Sequence, residues 1–476
     1  MTTSVFNNPD ALPQLIGEFR PVDEWQAHIN DIFYGLRGGR LREFYQTFAA
    51  ADYRLAHALA ADYYDRVRKR DQARGKGQGA RGSLVIHEWG CGNGNLAACF
   101  LTHLQRLDKD ALVYPRVRYV LVDTHETTLQ LALVHPDLTA HKDRVEVRCS
   151  RAEDMKDFQD GTVDRIFCNE LWNDLPTKLM LRKDGEMEEE FLRPNLSEAR
   201  QAEIGDWSGF VQSFDKKDVA GLKAFPAFLE DIIWEKEYRK ADWKEVPYRK
   251  TITEFLKKID EEVLVPVNLG ACATVKEAKR LLAPDAVGFS SFDAGTSDMS
   301  VLNDPDKPCY GQFGGQYSFM VNFALIEAVA RHHAIGAVEL EAQREFVGRS
   351  LNTHVLSLMD LLATHATSAS LKPWQQDRLL LQTVQALNNT YESPYRRKID
   401  FAISQDAPRE EWESFRGLLH SLKDNGVPDT IAYLTEEELF AAMRDLEALE
   451  YDREIIQAAL AAPPQGVDYY HHFIRP

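Results

Sequence analysis

Apolar and polar positions follow two alternating periods between residues 84 and 169. Short apolar runs predict strands, and longer stretches with helical spacing predict helices. The predicted strands cover 84–88, 117–123, 144–149 and 164–169, and the predicted helices cover 95–107 and 124–134. Strands that alternate with helices indicate βαβ units and a parallel sheet. Because ligands bind beyond the carboxyl ends of such strands, we expect the functional residues there.

The chain before this region is predicted to be helical. Residues 1–20 lack a regular period and are expected to form a loose arm. Apolar residues at three- and four-residue steps predict helices over 22–34 and 41–70. The basic, glycine-rich stretch 69–82 is typical of a flexible linker. Residues 1–82 therefore form a predicted helical region and linker.

The pattern changes after the fourth strand. Extended runs at 178–182 and 188–192 flank Asp184-Gly185 and predict a hairpin. The acidic run 186–190 is expected to be a solvated flank, or else a contact for a basic peptide. Residues 195–262 are charged and aromatic and are predicted to be mostly helical. We expect an insertion at about 181–262 that covers the active face.

Regular units resume after the insertion. A capping box at Thr274 and Glu277 predicts the start of a helix that stops before Pro284. A strand is predicted over 286–292, and 317–323 is expected to be a strand or a strand-to-helix junction.

The last part of the chain has helical spacing. The predicted helices cover 343–364, 371–389, 408–424, 435–448 and 451–461. The predicted domains are 1–82, a core over 83–345 and an all-helical C-terminal domain over 346–476.

Composition narrows the class of protein. The chain has 476 residues, of which 44% are apolar and 27% charged, as in soluble globular proteins. Its net charge of −18 argues against bulk nucleic-acid binding and suits a small cationic substrate or a basic peptide. The sequence has no run of 18 apolar residues and no signal-peptide pattern, so we expect a cytoplasmic protein with no membrane span.

Neither cysteine nor histidine spacing indicates a metal. The six Cys form no C-x-x-C pair and are expected to be buried free thiols in a reducing compartment. The 14 His lie in no metal-binding pattern.

A glycine-rich turn follows the first predicted strand. Glu88, Gly90, Gly92 and Gly94 form a Glu-x-Gly-x-Gly-x-Gly pattern. This spacing differs from the dinucleotide fingerprint, and no Lys follows it as in a phosphate loop. The pattern resembles the nucleotide loop of class I S-adenosylmethionine-dependent methyltransferases. The resemblance implies an α/β fold with a Rossmann-like core, and S-adenosyl-L-methionine as the cofactor.

The cofactor's functional groups indicate which residues bind it. A ribose diol requires a carboxylate at a strand end, and Asp123 closes the second strand. The adenine is expected beside the loop after the third strand, where Glu153 or the backbone of Ala152 is the candidate, because Arg151 holds the position at which methyltransferases often have an acid. Glu88 is expected to bond the turn or to lie near the methionine end. The full predicted set is Glu88, Gly90, Cys91, Gly92, Gly94, Asp123, Thr124, Ala152, Glu153 and Asn169.

A second motif at the end of the fourth strand is more specific. The segment CNELWNDLPTKLML resembles the Asn-Glu-x-x-Asp-Ala-Leu-Pro segment of the MidA-like family, the complex I assembly-factor methyltransferases that modify protein arginine. Asn169, Glu170, Leu175 and Pro176 match, whereas Asn173 stands where the family has Asp. The resemblance covers roughly 84–350, and the family's N-terminal Gly-Asp-Phe-x-Thr-Ser-Pro pattern is missing.

The resemblance implies methylation of a protein arginine. Glu170 would orient the guanidinium, with Asn169 beside it, and both are the predicted catalytic residues. Leu179 stands where a second glutamate of a paired-glutamate loop would be. Two alternatives remain open. One is a small-molecule or natural-product methyltransferase with the aromatic insertion as a lid. The other is an inactive cofactor-binding assembly protein. A homo-oligomer or a partner bound through the C-terminal helices is also expected.

Overall fold

The computed structural model describes residues 14–38, 47, 49, 52–74, 82–242, 246–333, 335, 337–352, 355–357, 379, 382–383, 386, 394–395, 433–460 and 467–475. The predicted helix 408–424 lies outside these residues, and so does most of 371–389. No helix among the described residues combines the length and the apolar character needed to cross a membrane.

The described strands are, in chain order, β1 Gln14–Leu15, β2 Arg20–Pro21, β3 Leu84–Trp89, β4 Val117–Asp123, β5 Val145–Cys149, β6 Arg165–Asn169, β7 Lys178–Lys183, β8 Glu186–Leu196, β9 Ile233–Lys240, β10 Val265–Val267, β11 Gly288–Thr296, β12 Tyr310–Phe313, β13 Gln316–Phe319, β14 Val321–Asn322, β15 Ala337–Ala342, β16 Val355–Ser357, β17 Tyr433–Thr435 and β18 Asp468–Arg475.

The described α-helices are α1 Val22–Arg37, α2 Arg54–Ala73, α3 Asn95–Leu107, α4 Glu126–Leu133, α5 Glu198–Ile204, α6 Trp207–Asp215, α7 Val219–Leu222, α8 Arg249–Leu256, α9 Leu269–Leu281, α10 Met299–Leu302, α11 Phe323–His332, α12 Gln343–Leu351, α13 Glu436–Ala448 and α14 Arg453–Leu460. Short 3-10 helices cover Tyr114–Arg116, Leu138–Arg144 and Leu229–Asp231.

The chain divides into two compact units, each built from separate stretches of sequence. The antiparallel-sheet unit comprises Met1–Tyr45, Glu170–Lys276 and Asp293–Ile335. The parallel-sheet unit comprises Gln46–Asn169, Glu277–Phe292 and Gly336–Pro476. The predicted domain limits at 82 and 345 stay predictions.

The main sheet of the parallel-sheet unit has the strand order β15-β18-β11-β6-β3-β4-β5. Strands β4 and β5 follow β3 on one side, and β6 and β11 lie on its other side, all joined by parallel pairings. The order therefore reverses between β3 and β6, which is where open α/β sheets bind ligands. The predicted α/β class with a Rossmann-like core is confirmed.

Helices α2 and α3 pack against each other beside this sheet, around the ring of Phe100. The Phe100 ring centroid lies 5.4 Å from that of Phe167 on β6 and 5.7 Å from that of Tyr119 on β4. All three side chains are fully buried. Full burial of an apolar side chain of this size is worth about 1.5–3 kcal/mol, so these rings fix the sheet against the helices.

The antiparallel-sheet unit is organised around the long strand β8. Strands β7 and β8 form the predicted hairpin, with Asp184 and Gly185 as its two turn residues at φ 49° and 77°. Both values lie in the left-handed region that a type I′ turn requires. Strand β8 also pairs with β1, β2 and β9, and β7 pairs with β10, all antiparallel.

Three predictions about the ends and the insertion are wrong in part. The loose arm includes two short strands, β1 and β2, which pair with β8. The insertion contains the eight-residue strand β9, although it was expected to be mostly helical. The C-terminal domain is not all-helical, because Asp468–Arg475 forms β18 within the main sheet. Strand pairing to partners far away in sequence decides all three cases.

Two helix ends also differ from the prediction. Thr274 does not start a helix, because α9 begins at Leu269 and the Thr274 hydroxyl donates to the Ala271 carbonyl within it. Helix α12 ends at Leu351, before Asn352 in the left-handed conformation at φ 55°, so the predicted helix over 343–364 is too long. The predicted helices over 22–34, 95–107, 435–448 and 451–461 are confirmed to within a few residues.

Candidate active site

The glycine turn leaves β3 and is tied to the end of the neighbouring strand. Gly90, Gly92 and Gly94 have φ values of 69°, 53° and 78°, which favour glycine. The backbone N–H groups of Gly90 and Cys91 donate to the Val122 carbonyl at 2.8 and 3.3 Å. Because Asp123 follows Val122, these bonds bring the Asp123 carboxylate to the turn.

Two of the three glycines are required for different reasons. A Cβ atom on Gly94 would lie 3.1 Å from the Cβ of Ala132, so Gly94 allows the start of α3 to approach α4. A Cβ atom on Gly92 would meet nothing within 4 Å in the part of the chain that the structure describes. Gly92 therefore presents bare backbone to open space, as a turn that lies against a ligand requires.

Asp123 is partly buried at the end of β4 and accepts backbone hydrogen bonds. The N–H of His125 donates to its Oδ1 at 3.0 Å, and the N–H groups of Gly92 and Thr124 also bond it. Burial raises the pKa of the Asp123 carboxyl, and these N–H groups oppose that rise. The carboxylate is thus held beside Gly92, where it can accept from a diol.

Glu88 lies in a different environment. It is 4% exposed, and the Tyr119 hydroxyl donates to its Oε2 at 2.6 Å. Burial raises the pKa of Glu88 to about 8. The buried thiol of Cys91 has a pKa well above its usual range because of burial and of the nearby Asp123 and Glu88 carboxylates. The sequence analysis did not identify Tyr119, which supplies Glu88 with a hydrogen-bond partner within the protein. Contact of Glu88 with the cofactor stays a prediction.

The loop after β5 also lies beside Asp123. Cys149 is opposite Asp123 in the register, and the Ser150 N–H donates to the Asp123 carbonyl at 3.0 Å. Ala152 is buried, whereas Glu153 is partly buried and pairs with Arg151 at 3.0 Å. An adenine contact by Glu153 would compete with this ion pair, and the backbone of Ala152 stays the alternative.

Asn169 ends β6 on the other side of β3. Trp89 lies opposite Cys168, so the next residues, Gly90 and Asn169, leave neighbouring strands at the same level. Glu170 follows with φ 47°, which is uncommon for a residue other than glycine and costs about 1 kcal/mol or more. The predicted catalytic pair therefore lies at a sharp turn of the chain.

Asp293 holds the segment after Glu170 and was missed as a site residue. It is fully buried in the antiparallel-sheet unit, and its carboxylate accepts from the N–H of Trp172 at 2.8 Å and of Asn173 at 3.3 Å. Burial and the nearby Glu170 carboxylate raise its pKa well above the usual range. An acid directly after the apolar stretch of β11 was the signal that could have identified it.

The acid that the MidA-like motif has at position 173 stands one residue later in this chain. Asn173 is 4% exposed, and its Oδ1 has no hydrogen-bond partner among the described residues. Asp174 is partly buried and accepts from the Tyr34 hydroxyl at 2.7 Å, from Gln316 Nε2 at 2.9 Å and from Asn30. The α1 helix and β13 thus position a carboxylate four residues after Glu170.

The residues at the strand ends of the parallel-sheet unit fit S-adenosylmethionine. The exposed backbone at Gly92, the Asp123 carboxylate and the Ala152–Glu153 loop supply the groups that its amino acid, ribose and adenine parts require. Among the described residues, no group of three or more His, Cys, Asp or Glu side chains is placed to hold a metal ion.

A family model matches the part of the chain that contains these residues. Residues 59–288 match a family described as "Putative S-adenosyl-L-methionine-dependent methyltransferase". The chain carries a class I S-adenosylmethionine-dependent methyltransferase domain. The predicted cofactor and the predicted enzyme class agree with this match, and the resemblance to the MidA-like family stays a prediction. The roles of individual residues stay predictions.

Other comparisons give only distant likenesses to the methyltransferase. No curated protein sequence matches the chain. A Burkholderia thailandensis protein bound to S-adenosyl-homocysteine is 13% identical, with a TM-score of 0.47 over 96% of this chain and 88% of that one. An uncharacterised protein of the same organism is 15% identical, with a TM-score of 0.45 over 83% and 92%. Loganic acid methyltransferase is 8% identical, with a TM-score of 0.36 over 89% and 94%.

Proposed function

We propose that the methyltransferase modifies an arginine side chain of a protein. The observation that carries this proposal is the partly buried Glu170 carboxylate at the sharp turn after β6, with a second carboxylate, Asp174, four residues later. A guanidinium is planar, carries five N–H donors and binds carboxylates in forked geometry, so acidic side chains are its natural partners. The net charge of −18 also suits a basic protein segment.

The chain's own residues would prepare the acceptor nitrogen. When bound, S-adenosylmethionine supplies an electrophilic methyl group. Glu170 would bond two nitrogens of the guanidinium and hold its positive charge there, which leaves a lone pair on the third nitrogen. That nitrogen would form the new bond to the methyl carbon of the bound cofactor, and the bond between this carbon and sulfur would break. The nitrogen then loses one proton, for which a nearby carboxylate is a suitable acceptor.

The alternative of a small-molecule methyltransferase with an aromatic lid has less support. Six aromatic side chains of the insertion lie in or against the core of the antiparallel-sheet unit, whereas Tyr238 is 45% exposed. Phe210, Phe214 and Phe228 are at most 2% exposed, and the Phe210 and Phe228 centroids lie 4.9 Å apart. Side chains committed to the unit's own core cannot line a substrate pocket.

The test uses the full chain and cofactor with a labelled methyl group. We expect label on arginine of basic proteins in a lysate, identified by mass spectrometry of the digested proteins. Glu170→Gln should lower transfer at least about 100-fold and leave S-adenosylhomocysteine affinity within about twofold. Glu230→Gln, at an exposed glutamate, is the matched control and should keep full activity. Label found solely on small molecules would contradict the proposal.

A further inference from the structure

We propose that two copies of the chain pair antiparallel through strand β5, with the two-fold axis at Val147. Strand β5 is the last strand of the main sheet, and among the described residues it pairs with β4 alone. Its residues Arg148 and Cys149 are exposed. The end of β5 lies beside Asp123, but the inference does not depend on the identity of the methyl acceptor.

The backbone of β5 presents three residues to the open edge. The Ser150 N–H donates to the Asp123 carbonyl on β4, so the backbone groups of Ser150 face β4. Alternate residues of a strand direct their backbone groups to opposite sides, so Val145, Val147 and Cys149 direct theirs outward. The Val147 carbonyl agrees with this assignment, because it accepts from the Arg148 guanidinium at 3.0 Å instead of from β4.

A two-fold axis at Val147 uses all three outward residues. Val147 faces its own copy, and Val145 faces Cys149 of the second chain. Each of these pairs is a hydrogen-bonded pair that exchanges both N–H···O bonds, with Cα atoms about 5.5 Å apart. The second copy thus satisfies the open backbone groups of the edge.

The charges of β5 select this register. Glu146 and Arg148 lie on one face, two residues apart, and are paired within the chain at 2.9 Å. Antiparallel pairing about Val147 places Glu146 of each copy opposite Arg148 of the other, in the closer, non-hydrogen-bonded type of pair. An axis at Glu146 or at Arg148 would instead oppose like charges. The axis at Val147 therefore opposes unlike charges and also pairs the whole of β5, Val145–Cys149, with its copy.

Helix α4 extends the surface on the other face of the sheet. It packs against β4 and β5. Leu131, Leu133 and Val134 at its end are 46%, 38% and 70% exposed. Large apolar side chains exposed together beside an open strand are typical of an interaction surface.

Cross-linking tests the register directly. Val147→Cys in a Cys149→Ser background should form a disulfide-linked dimer on mild oxidation, because Cα atoms about 5.5 Å apart suit a disulfide. The chain with only native cysteines should not cross-link through Cys149, which would lie about 13 Å from its copy in this register. Absence of the Val147→Cys cross-link, or a Cys149 cross-link in the native chain, would overturn the register.

Charge exchange tests the interface in solution. By sedimentation velocity, Glu146→Arg alone and Arg148→Glu alone should each weaken dimerisation at least about tenfold, because like charges then meet across the axis. The double variant should restore the dimer, and a mixture of the two single variants should form a heterodimer. Retained S-adenosylhomocysteine binding shows that each variant is folded. A monomeric wild type, or a dimer that neither substitution weakens, would refute the proposal.

Discussion

Tyr119 on β4 donates its hydroxyl hydrogen to Glu88 on β3 at 2.6 Å, and both side chains are at most 4% exposed. The pair lies directly beneath the glycine turn and holds a carboxyl whose pKa is raised to about 8 by burial. With this pKa, the Glu88 carboxyl changes its charge near neutral pH.

Glu88→Gln should flatten the pH dependence of stability. Because the folded state raises the pKa of Glu88 from 4.5 to about 8, its contribution is complete below about pH 4.5 and is lost as pH rises through about 8. Between about pH 5 and about pH 8.5, the free energy of unfolding of the variant should therefore rise relative to that of the wild type by on the order of 4 kcal/mol. Urea unfolding at several pH values measures this, and parallel curves for the two proteins would contradict it.

Gly94→Ala should be more harmful than Gly92→Ala. Both residues have positive φ, which costs alanine about 1–2 kcal/mol. Only at Gly94 does the added methyl group also meet Ala132 at 3.1 Å, so we expect a total loss of about 2–4 kcal/mol there. Thermal unfolding compares the two stabilities. Equal losses in the two variants would show that the contact with α4 does not matter.

Asp123→Asn should weaken cofactor binding without unfolding the protein. An amide can accept only one of the bonds that the carboxylate offers to a diol, and hydrogen bonds to charged groups are worth about 1.5–3 kcal/mol. We expect S-adenosylhomocysteine to bind about 10- to 100-fold more weakly by calorimetry. Asp143→Asn, at an exposed aspartate in the same unit, is the control and should bind normally.

Asp293→Asn should loosen the turn after Glu170. The carboxylate bonds the backbone of Trp172 and Asn173, and an asparagine would turn an NH₂ group toward one of these donors. The expected loss of stability is about 1–3 kcal/mol, with kcat reduced more than cofactor affinity. Asp298→Asn is the control, because Asp298 caps α10 on the surface and asparagine caps a helix about as well, so this variant should keep both its stability and its kcat.

Moving the acid back by one residue tests the role of Asp174. The double variant Asn173→Asp/Asp174→Ala restores the MidA-like motif but removes the carboxylate bonded by Tyr34 and Gln316. We expect transfer to fall at least about tenfold, because those bonds position the carboxylate in this chain. Steady-state kinetics with the identified acceptor measures the change. Unchanged turnover would mean that a carboxylate at either position, 173 or 174, supports methyl transfer.

The local pattern of the sequence determined the central part of the fold. The predicted helix 95–107 and strand 117–123 coincide with α3 and β4, and the glycine turn lies where expected. Because these elements bury one face or both, the spacing of their apolar residues predicts whether each is a helix or a strand. The cofactor was predicted from the resemblance of the glycine turn to the nucleotide loop of class I methyltransferases, and Asp123 follows at the end of the next strand.

Only the tertiary structure decided what depends on distant partners. Strand β18 lies between β11 and β15, and β9 pairs with β8 across a long insertion, and neither pairing leaves a local period. Likewise, the Tyr119 hydroxyl donates a hydrogen bond to Glu88. The Asp293 carboxylate accepts one from the backbone of a turn that lies 120 residues earlier in the chain. Hydrogen bonds and burial of single polar groups arise from folding as a whole, so a linear pattern of apolar residues cannot specify them.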